Sequence, residues 1–288
     1  MSPADALLSW FCAHARDLPW RGAGASPWPV MVSEFMLQQT PVARVLPYFT
    51  QWMRQWPTPA DLAAASPADV VRAWDTLGYP RRALWLHEAA ATIVDAYGGE
   101  VPADYSALRR LSGVGDYTAS AILAFAFGVR IPVIDTNVRR VWWRWELGQD
   151  DAAVQPRVEH AALERWLPAD GHRAAQVSLA IMEFGALICT ARTPLCTQCP
   201  IAETCQWRER GYPRPATRVR PISKRYEGSD RQARGRILAV LRRTADATEL
   251  TAQTVNWQDP GQFERAVSSL ANDGLITQVR ENVWKLPD

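Results

Sequence analysis

Four of the five cysteines lie close together in the sequence, in the spacing C-x6-C-x2-C-x5-C. They are Cys189, Cys196, Cys199 and Cys205, while Cys12 is far away. Four thiolates at this density can hold an iron–sulfur cluster or a zinc ion. Zinc ribbons usually repeat the C-x2-C pair, which occurs once here, so we favour a 4Fe–4S cluster. Zinc, disulfides and four unrelated buried cysteines are the alternatives, although disulfides rarely persist in the cytosol.

The apolar segment SEFMLQQTP carries one acidic side chain, Glu34. An apolar setting disfavours the charged form of a carboxyl group and raises its pKa, which suits a general acid. Because Pro41 disfavours helical geometry at Thr40, we expect one helix to end near Gln39. Thr40 would then cap the next helix, with Pro41 at its first position. The alternative for Glu34 is a structural glutamate paired with an arginine.

A second carboxyl group, Asp135, follows an apolar pair and opens a predicted helix in the segment IDTNVRRV. This position predicts a helix N-cap, where the helix dipole favours the ionised form. An aspartate N-cap is common without any catalytic role. Together, however, Glu34 and Asp135 have environments that push their pKa values apart, as in enzymes that separate a general acid from a charge stabiliser.

Two loop segments predict contacts with a nucleic acid. In LSGVGDYTA, Gly113 and Gly115 allow a tight turn whose backbone N–H groups face outward at a helix N-terminus, which is a geometry that binds phosphate. In LGYPRR, Tyr79 stands at a helix break before two arginines, where an exposed ring can stack between bases. The alternatives are a turn that needs glycine for steric reasons only and a packed loop tyrosine.

Helical periodicity of alanine and leucine runs through most of residues 4–205, without convincing alternating strands. These residues therefore predict an all-α domain that ends in the cysteine array. A different unit begins near Ala233, with helical faces around 237–241 and 263–270. Two short strands, 275–279 and 283–286, follow and complete a winged-helix-like pattern.

Composition restricts the possible chemistry. The chain has 288 residues and a formal net charge of +2, which allows roughly two domains, and no apolar run approaches the ~18 residues of a membrane span. Its basic residues are concentrated between Arg208 and Arg236, a stretch with ten basic and three acidic residues and several prolines. This composition predicts an extended linker, which either lies over a polyanion or is a solvated tether. The only lysines are Lys224 and Lys285, so no side-chain amine is available before residue 224. Without a signal-like segment, we expect a cytoplasmic protein.

These segments in this order resemble the helix-hairpin-helix DNA glycosylases of the endonuclease III superfamily, over about residues 5–207. Within it, SEFMLQQT is similar to the adenine DNA glycosylases of the MutY family. The resemblance implies a mainly α, two-lobed fold with an iron–sulfur cluster and a small C-terminal winged-helix-like domain. The implied division is a glycosylase domain at 1–207 (six-helix barrel at about 22–135, cluster lobe at 1–21 and 136–207), a basic linker at 208–232 and the winged-helix-like domain at 233–288.

The family resemblance also implies removal of adenine mispaired with 8-oxoguanine or guanine, by a monomer acting on double-stranded DNA at the nucleoid, away from any membrane. Glu34 would protonate adenine N7 and Asp135 would stabilise the oxocarbenium ion, assisted by Tyr117 and Asn137. Tyr117 stands where the lyases of the superfamily carry a Schiff-base lysine, which implies a monofunctional enzyme. The residues implied to contact DNA are Gln39, Thr40, Tyr79, Gly113 and Gly115.

The chain departs from the family pattern at Pro80, where relatives often have a second tyrosine, at Thr136, where they have glycine, and at Leu179, where they have Gln or Glu. No Nudix-like domain is visible after residue 207, so recognition of the base opposite adenine stays open. We expect residues 208–288 to add non-specific DNA affinity more than base discrimination. The rival functions are a glycosylase for thymine or uracil opposite guanine and a non-enzymatic DNA-binding or redox-sensing protein.

Overall fold

The computed structural model describes residues 1–21, 26–150, 154–213 and 226–288. The chain divides into two compact units. The first unit comprises residues 1–30, 103–109 and 114–220, and the second unit comprises 31–102, 110–113 and 221–288. The domain boundaries predicted at 135/136 and 207/208 remain a proposal.

The described residues are mainly helical, and the helices before residue 210 confirm the all-α prediction for that region. They are α1 (Pro3–His14), α2 (Pro27–Leu37), α3 (Val42–Gln55), α4 (Pro59–Ala63), α5 (Pro67–Trp74), α6 (Arg81–Tyr97), α7 (Tyr105–Arg109), α8 (Asp116–Phe127), α9 (Thr136–Trp142), α10 (Pro156–Trp166), α11 (Gly171–Leu187) and α12 (Gln206–Glu209). Single 3-10 turns lie at Pro19–Arg21, Asp75–Leu77, Cys196–Gln198 and Ala202–Thr204, and one π turn lies at Trp143–Leu147.

Three helix starts share the sequence S/T-P-A-D and the same capping geometry. The side chains of Ser2, Thr58 and Ser66 each accept a hydrogen bond from the backbone N–H of the aspartate three residues later. The proline occupies the first helical position, where its missing N–H costs nothing. The local sequence therefore determines where α1, α4 and α5 begin.

The core of the first unit lies between α1, α9, α10 and α11 and is rich in aromatic rings. The rings of Trp10 on α1 and Phe184 on α11 meet edge to face, with centroids 5.5 Å apart. Next to them, the fully buried Glu183 accepts hydrogen bonds from Arg16 Nε at 2.7 Å and Arg21 Nη1 at 3.0 Å. Although burial acts in the opposite direction, these arginines lower the pKa of Glu183 to about 2. This ion cluster holds the segment that follows α1 against helix α11.

The second unit contains α3 to α6 and the C-terminal residues. The indole rings of Trp52 and Trp74 pack edge to face in its centre, with centroids 5.4 Å apart, and both are almost completely buried. Helix α6 runs for 17 residues and ends at Gly98, whose φ of 64° is left-handed. Left-handed glycine is a common helix stop because it has no Cβ to clash.

The C-terminal part of the second unit has α13 (Asp230–Arg243), β1 (Thr248–Glu249), α14 (Pro260–Asn272), β2 (Thr277–Arg280) and β3 (Val283–Lys285). The antiparallel strands lie in the order β1-β3-β2. Residues 226–288 are called the C-terminal domain below. Its two helices and its hairpin match the predicted winged-helix-like pattern, with strand ends shifted by up to two residues. Strand β1 was missed because two residues carry no alternation.

Candidate active site and cysteine cluster

In the first unit, Asp135 is the N-cap of α9, as the sequence predicts. Its Oδ1 accepts hydrogen bonds from the backbone N–H groups of Asn137 at 2.9 Å and Val138 at 2.7 Å. The side chain of Asn137 donates to Oδ2 at 2.7 Å. These three bonds fix the orientation of the carboxyl group before any substrate arrives.

The expectation that the helix N-terminus would keep Asp135 readily ionised needs a correction. Burial is the largest influence on this group, and it raises the pKa above the ordinary value of 3.8. The hydrogen bonds from Val138 and Asn137 oppose this effect without cancelling it. The sequence pattern identified the cap but carried no information about how deeply it is buried.

Arg140 connects this carboxyl group to the first cysteine of the array. Its Nη2 donates to Asn137 Oδ1 at 2.8 Å and to the carbonyl of Gly185 at 2.6 Å. Its Nε donates to the carbonyl of Cys189 at 2.8 Å. A continuous hydrogen-bonded path thus runs from Asp135 through Asn137 and Arg140 to Cys189. The sequence analysis missed Arg140, because its partners lie 45 and 49 residues away.

The four clustered cysteines are partly buried and form no disulfide, while Cys12 is exposed. Burial raises the pKa of Cys199 to about 12, and the charges of the other three cysteines raise it further, so all four lie in one neighbourhood of the fold. Arg144 lies beside them, 2% exposed, and donates to Cys189 Sγ at 3.5 Å and to the carbonyl of Thr190 at 2.8 Å.

This donor set fits an iron–sulfur cluster. Four thiolates are its usual ligands, and bound iron supplies the positive charge that deprotonates buried thiols. The guanidinium of Arg144 adds a further positive charge and a hydrogen bond to a ligand sulfur, both of which influence cluster potential. Held by all four cysteines, the cluster would fix the chain between Cys189 and Cys205 as one rigid loop.

Tyr117 lies in the first turn of α8 and lines a cavity of about 590 Å³ in the first unit. The cavity is also lined by Ser120, Arg139 and Glu159, so it combines apolar walls with hydrogen-bonding groups. At its edge, Tyr105 donates a hydrogen bond to Asp116 at 2.9 Å. A tyrosine here offers a hydroxyl group, but it cannot form a Schiff base.

The two glycines before α8 have different roles. Gly113 has a φ of +76°, and a Cβ there would stand 2.7 Å from Phe35 Cε1 and 2.9 Å from Trp85 Cβ. Gly115 is the N-cap of α8, its φ of −87° suits any residue, and a Cβ there would meet nothing within 4 Å. Its lack of a side chain leaves the first N–H groups of α8 uncapped by the N-cap residue. Gly113 is thus required by the fold, and Gly115 leaves space for an anion at the helix N-terminus.

In the second unit, Glu34 lies on α2 and is 6% exposed, between side chains that are completely buried (Met31, Val32, Phe35 and Met36). Glu34 is therefore buried, while its role as a general acid stays a prediction. Helix α2 ends at Leu37, two residues before the predicted end, and Gln39 follows with a φ of +57° and an exposed side chain.

The predicted cap at Thr40 is wrong. Pro41 is the N-cap residue of α3, which begins at Val42, and no side chain caps it. The hydroxyl of Thr40 instead accepts a hydrogen bond from Arg82 Nη2 at 3.0 Å. A buried guanidinium competes for this oxygen more strongly than a backbone N–H group does.

Arg82 is the functional residue that sequence reasoning missed in this unit. It is 3% exposed, and its Nη1 donates to the carbonyls of Phe35 at 2.6 Å, Met36 at 3.0 Å and Gln38 at 2.6 Å. Its Nη2 also donates to the carbonyl of Gly78 at 2.9 Å, and its guanidinium lies 5.4 Å from the ring centroid of Tyr79.

Arg82 therefore brings together the segment 38–40 and the loop that carries Tyr79. Tyr79 has a φ of +48° and a side chain that is 49% exposed. Four of the five groups that accept hydrogen bonds from Arg82 lie more than 40 residues away along the chain. Only the position of an arginine next to the apolar Ala83 and Leu86 signalled its burial in the sequence. In each unit, then, predicted residues lie together: Asp135 with Asn137, and Thr40 with Tyr79.

Comparisons with known proteins point to one family of enzymes. Residues 32–168 match the family described as HhH-GPD superfamily base excision DNA repair protein, and residues 189–205 match the iron–sulfur binding domain of endonuclease III. The adenine DNA glycosylase of Mycobacterium tuberculosis is 48% identical over 98% of this chain and 92% of its own length. That of Mycolicibacterium smegmatis is 47% identical over 99% and 96%.

A solved structure of a thermostable thymine-DNA glycosylase superposes with a TM-score of 0.66 at 26% identity, covering 72% of this chain and 95% of that one. Across the part of the chain that the structure describes, no helix has both the length and the apolar character to cross a membrane. The four clustered cysteines fall within the matched iron–sulfur domain, so a 4Fe–4S cluster is the cofactor. The chain belongs to the adenine DNA glycosylases, base-excision-repair enzymes of the HhH-GPD superfamily.

Proposed function

We propose that this enzyme removes adenine mispaired with 8-oxoguanine or guanine and that it has no lyase step. The absence of a lyase step is inferred from Tyr117, which lies at the wall of the 590 Å³ cavity in a chain without lysine before residue 224. We also propose that it acts as a monomer, and that it acts at the nucleoid because its substrate would be chromosomal DNA.

Excision requires that the adenine leaves the base stack, since its glycosidic bond cannot be reached inside a duplex. Glu34 donates a proton to adenine N7, and the C1′–N9 bond breaks with both electrons going to the base. The deoxyribose is left as an oxocarbenium ion, to which water adds at C1′ and loses a proton. A carboxylic acid suits the donor role because it can transfer its proton to N7 at hydrogen-bond distance.

Asp135 stabilises the oxocarbenium ion in its ionised form. The two backbone N–H groups and the Asn137 amide hold its carboxylate in a fixed orientation, so little reorganisation accompanies the formation of positive charge. Asn137 is itself held by Arg140. This arrangement supports distinct roles for the two carboxyl groups: Glu34 supplies a proton, and Asp135 supplies charge.

Recognition of the opposite base depends on the loops that Arg82 holds. The exposed Gln39 offers hydrogen-bond donors and acceptors to base edges, which is what sequence readout requires. The exposed ring of Tyr79 can wedge between bases as the duplex opens. The N-terminus of α8 after Gly115 binds the DNA backbone through N–H groups, without sequence preference.

A glycosylase assay over a panel of duplexes tests this function. The purified protein should release adenine opposite 8-oxoguanine and opposite guanine and should leave thymine or uracil opposite guanine intact. Strand breaks should appear only after alkali treatment, and borohydride should trap no covalent adduct. Glu34→Gln should reduce the single-turnover rate by about 10²–10⁴-fold while mismatch binding persists. Release of thymine, or efficient borohydride trapping, would refute the proposal.

A further inference from the structure

The loop that carries Tyr79, residues 75–80, has a positive backbone φ at three positions. Asp75 has a φ of +40°, Gly78 of +95° and Tyr79 of +48°. Residues other than glycine rarely adopt such values, which persist only where the surroundings impose them. Arg82 holds the end of this loop at Gly78. Its beginning needs a second support.

That second support comes from the C-terminal domain. Arg242, in the last turn of α13, donates from Nε to the carbonyl of Val71 at 3.2 Å, and its Nη1 lies 4.0 Å from Asp75 Oδ1. The side chain of Arg242 is only 10% exposed. Arg72 in turn donates to the carbonyl of Thr244 at 3.3 Å. Hydrogen bonds in both directions thus join α13 to the helix turn that leads into the loop.

The far side of the loop is held in the same way. Arg81, the first residue of α6, pairs with Asp273 of the C-terminal domain at 3.1 Å. Asp273 is held by Arg234 at 2.6 Å. The apolar contact is continuous as well, because the fully buried Val71 belongs to the core of the C-terminal domain, with Ala68 and Leu84 packed against it. The domain therefore contacts the chain immediately before and immediately after the Tyr79 loop.

The charge of the C-terminal domain does not suit a reader of DNA. Residues 226–288 contain eight basic and nine acidic side chains. Helix α14, which precedes the β-hairpin as a recognition helix would, carries one acidic and one basic residue, Glu264 and Arg265. Proteins that bind phosphates strongly concentrate basic side chains on one face. The charge balance favours a role inside the protein over a role on the duplex.

We propose that the C-terminal domain is a buttress for the Tyr79 loop and that Arg242, through Asp75, is a positioning residue for recognition of the base opposite adenine. The domain acts on specificity without touching that base. This inference rests on the proposed contact of Tyr79 with the mismatch. It differs from the expectation that the tail adds mainly non-specific affinity. That expectation covered residues 208–288 as a whole, of which residues 214–225 lie outside the described residues.

The test compares single substitutions in the full-length holoenzyme. Arg242→Gln removes the support from the domain side, and Asp75→Asn removes its partner on the loop side while it leaves the domain unchanged. Arg243→Gln is the matched control, because this exposed neighbour loses the same charge from the same helix. Equilibrium binding is measured at one salt concentration, with duplexes that hold a 2′-fluorinated, uncleavable adenosine opposite 8-oxoguanine or guanine.

We expect Arg242→Gln and Asp75→Asn to reduce the preference for 8-oxoguanine over guanine by about 3- to 10-fold, the size of coupling between residues in one network. Arg243→Gln should leave this preference unchanged. Added to Tyr79→Ala, Arg242→Gln should cause no further loss, because both act through the same ring. Arg242→Lys, which can still donate to Val71 and pair with Asp75, should restore part of the preference.

Two results would overturn the buttress alone. One is an unchanged preference in Arg242→Gln and Asp75→Asn when Tyr79→Ala reduces it. The other is an equal loss of affinity for all duplexes with a flatter salt dependence, which would identify Arg242 as a phosphate contact. If Tyr79→Ala itself leaves the preference intact, the proposed role of Tyr79 fails and the buttress fails with it. Thermal unfolding of each variant shows whether the C-terminal domain still folds.

Discussion

Substitution of Arg82 by methionine should destabilise the protein and loosen both segments that it holds. The change keeps much of the side-chain volume but removes all five hydrogen bonds of the guanidinium. The carbonyls of Gln38 and Gly78 lie near the surface and can bind water instead, whereas those of Phe35 and Met36 belong to completely buried residues. Each buried carbonyl that loses its partner costs about 1–3 kcal/mol.

Two such carbonyls together cost about 2–6 kcal/mol. Methionine also avoids the cost of burying a charge, so we expect a value in the lower half of this range, a loss of about 3 kcal/mol in the free energy of unfolding. For a chain of this size, 1 kcal/mol corresponds to about 2–4 °C, so Tm should fall by roughly 6–12 °C. Burial lowers the pKa of Arg82 to about 10, which leaves it charged at neutral pH, so the loss should be present there in full. Arg82→Lys should lose less, because an ammonium group keeps the charge but not the planar fork.

Differential scanning calorimetry of the holoenzyme measures this loss, and Arg81→Met is the matched control. Arg81 is the preceding residue on the same helix, is 50% exposed and makes one ion pair, with Asp273. Such pairs contribute at most about 1 kcal/mol, so its Tm should stay within about 4 °C of the unsubstituted protein. If Arg82→Met behaves like this control, the hydrogen bonds of Arg82 do not stabilise the fold and our argument about the loops is refuted.

Three further predictions concern the two glycines before α8 and the titrating acids Glu183 and Asp135. Gly113→Ala should lower the free energy of unfolding by about 1–3 kcal/mol, because the residue has a positive φ and a Cβ would crowd neighbouring side chains. Gly115→Ala should leave the Tm unchanged and weaken DNA binding. The reverse pattern would contradict the anion site. The folded-state pKa of Glu183 is depressed from 4.5 to about 2, so its ion cluster should contribute about 2–3 kcal/mol above pH 4.5 that is lost as the pH falls towards 2. Glu183→Gln should remove that part of the pH dependence of unfolding. Because burial raises the pKa of Asp135, the single-turnover rate should begin to fall at a pH above 3.8 as the solution is made more acidic. Asn137→Ala removes a hydrogen bond that lowers this pKa, so the variant should lose activity at a still higher pH. A fall only at or below pH 3.8 would contradict the burial of the group.

Local signals in the sequence were sufficient where the chemistry is local. The spacing of the four cysteines predicted their cofactor, and Asp135 was recognised as an N-cap from its neighbours alone. Gly113 was identified as part of a tight turn, since φ above zero is a property of a single residue. The apolar sequence around Glu34 similarly predicted its burial.

Long-range partners could not be read in this way. Thr40 was assigned to a helix cap because the sequence does not show that Arg82, 42 residues later, reaches its hydroxyl. Nor does the pattern around Arg242 indicate that its partners are in a helix 170 residues earlier. In both cases a buried guanidinium satisfies backbone carbonyls from another segment, and such pairings depend on the tertiary fold rather than on periodicity.

The packing of α1 against α11 has a consequence for synthesis of the chain on the ribosome. Leu7 and Trp10 on α1 are buried by residues of α11, such as Phe184, that are translated more than 170 positions later. At roughly 5–20 residues per second, that interval lasts about 10–35 s. During it, the helices of 31–102 can emerge and begin to fold, while the apolar face of α1 has no native surface to cover it. The apolar face of the N-terminal segment is therefore open to aggregation until α11 has been translated.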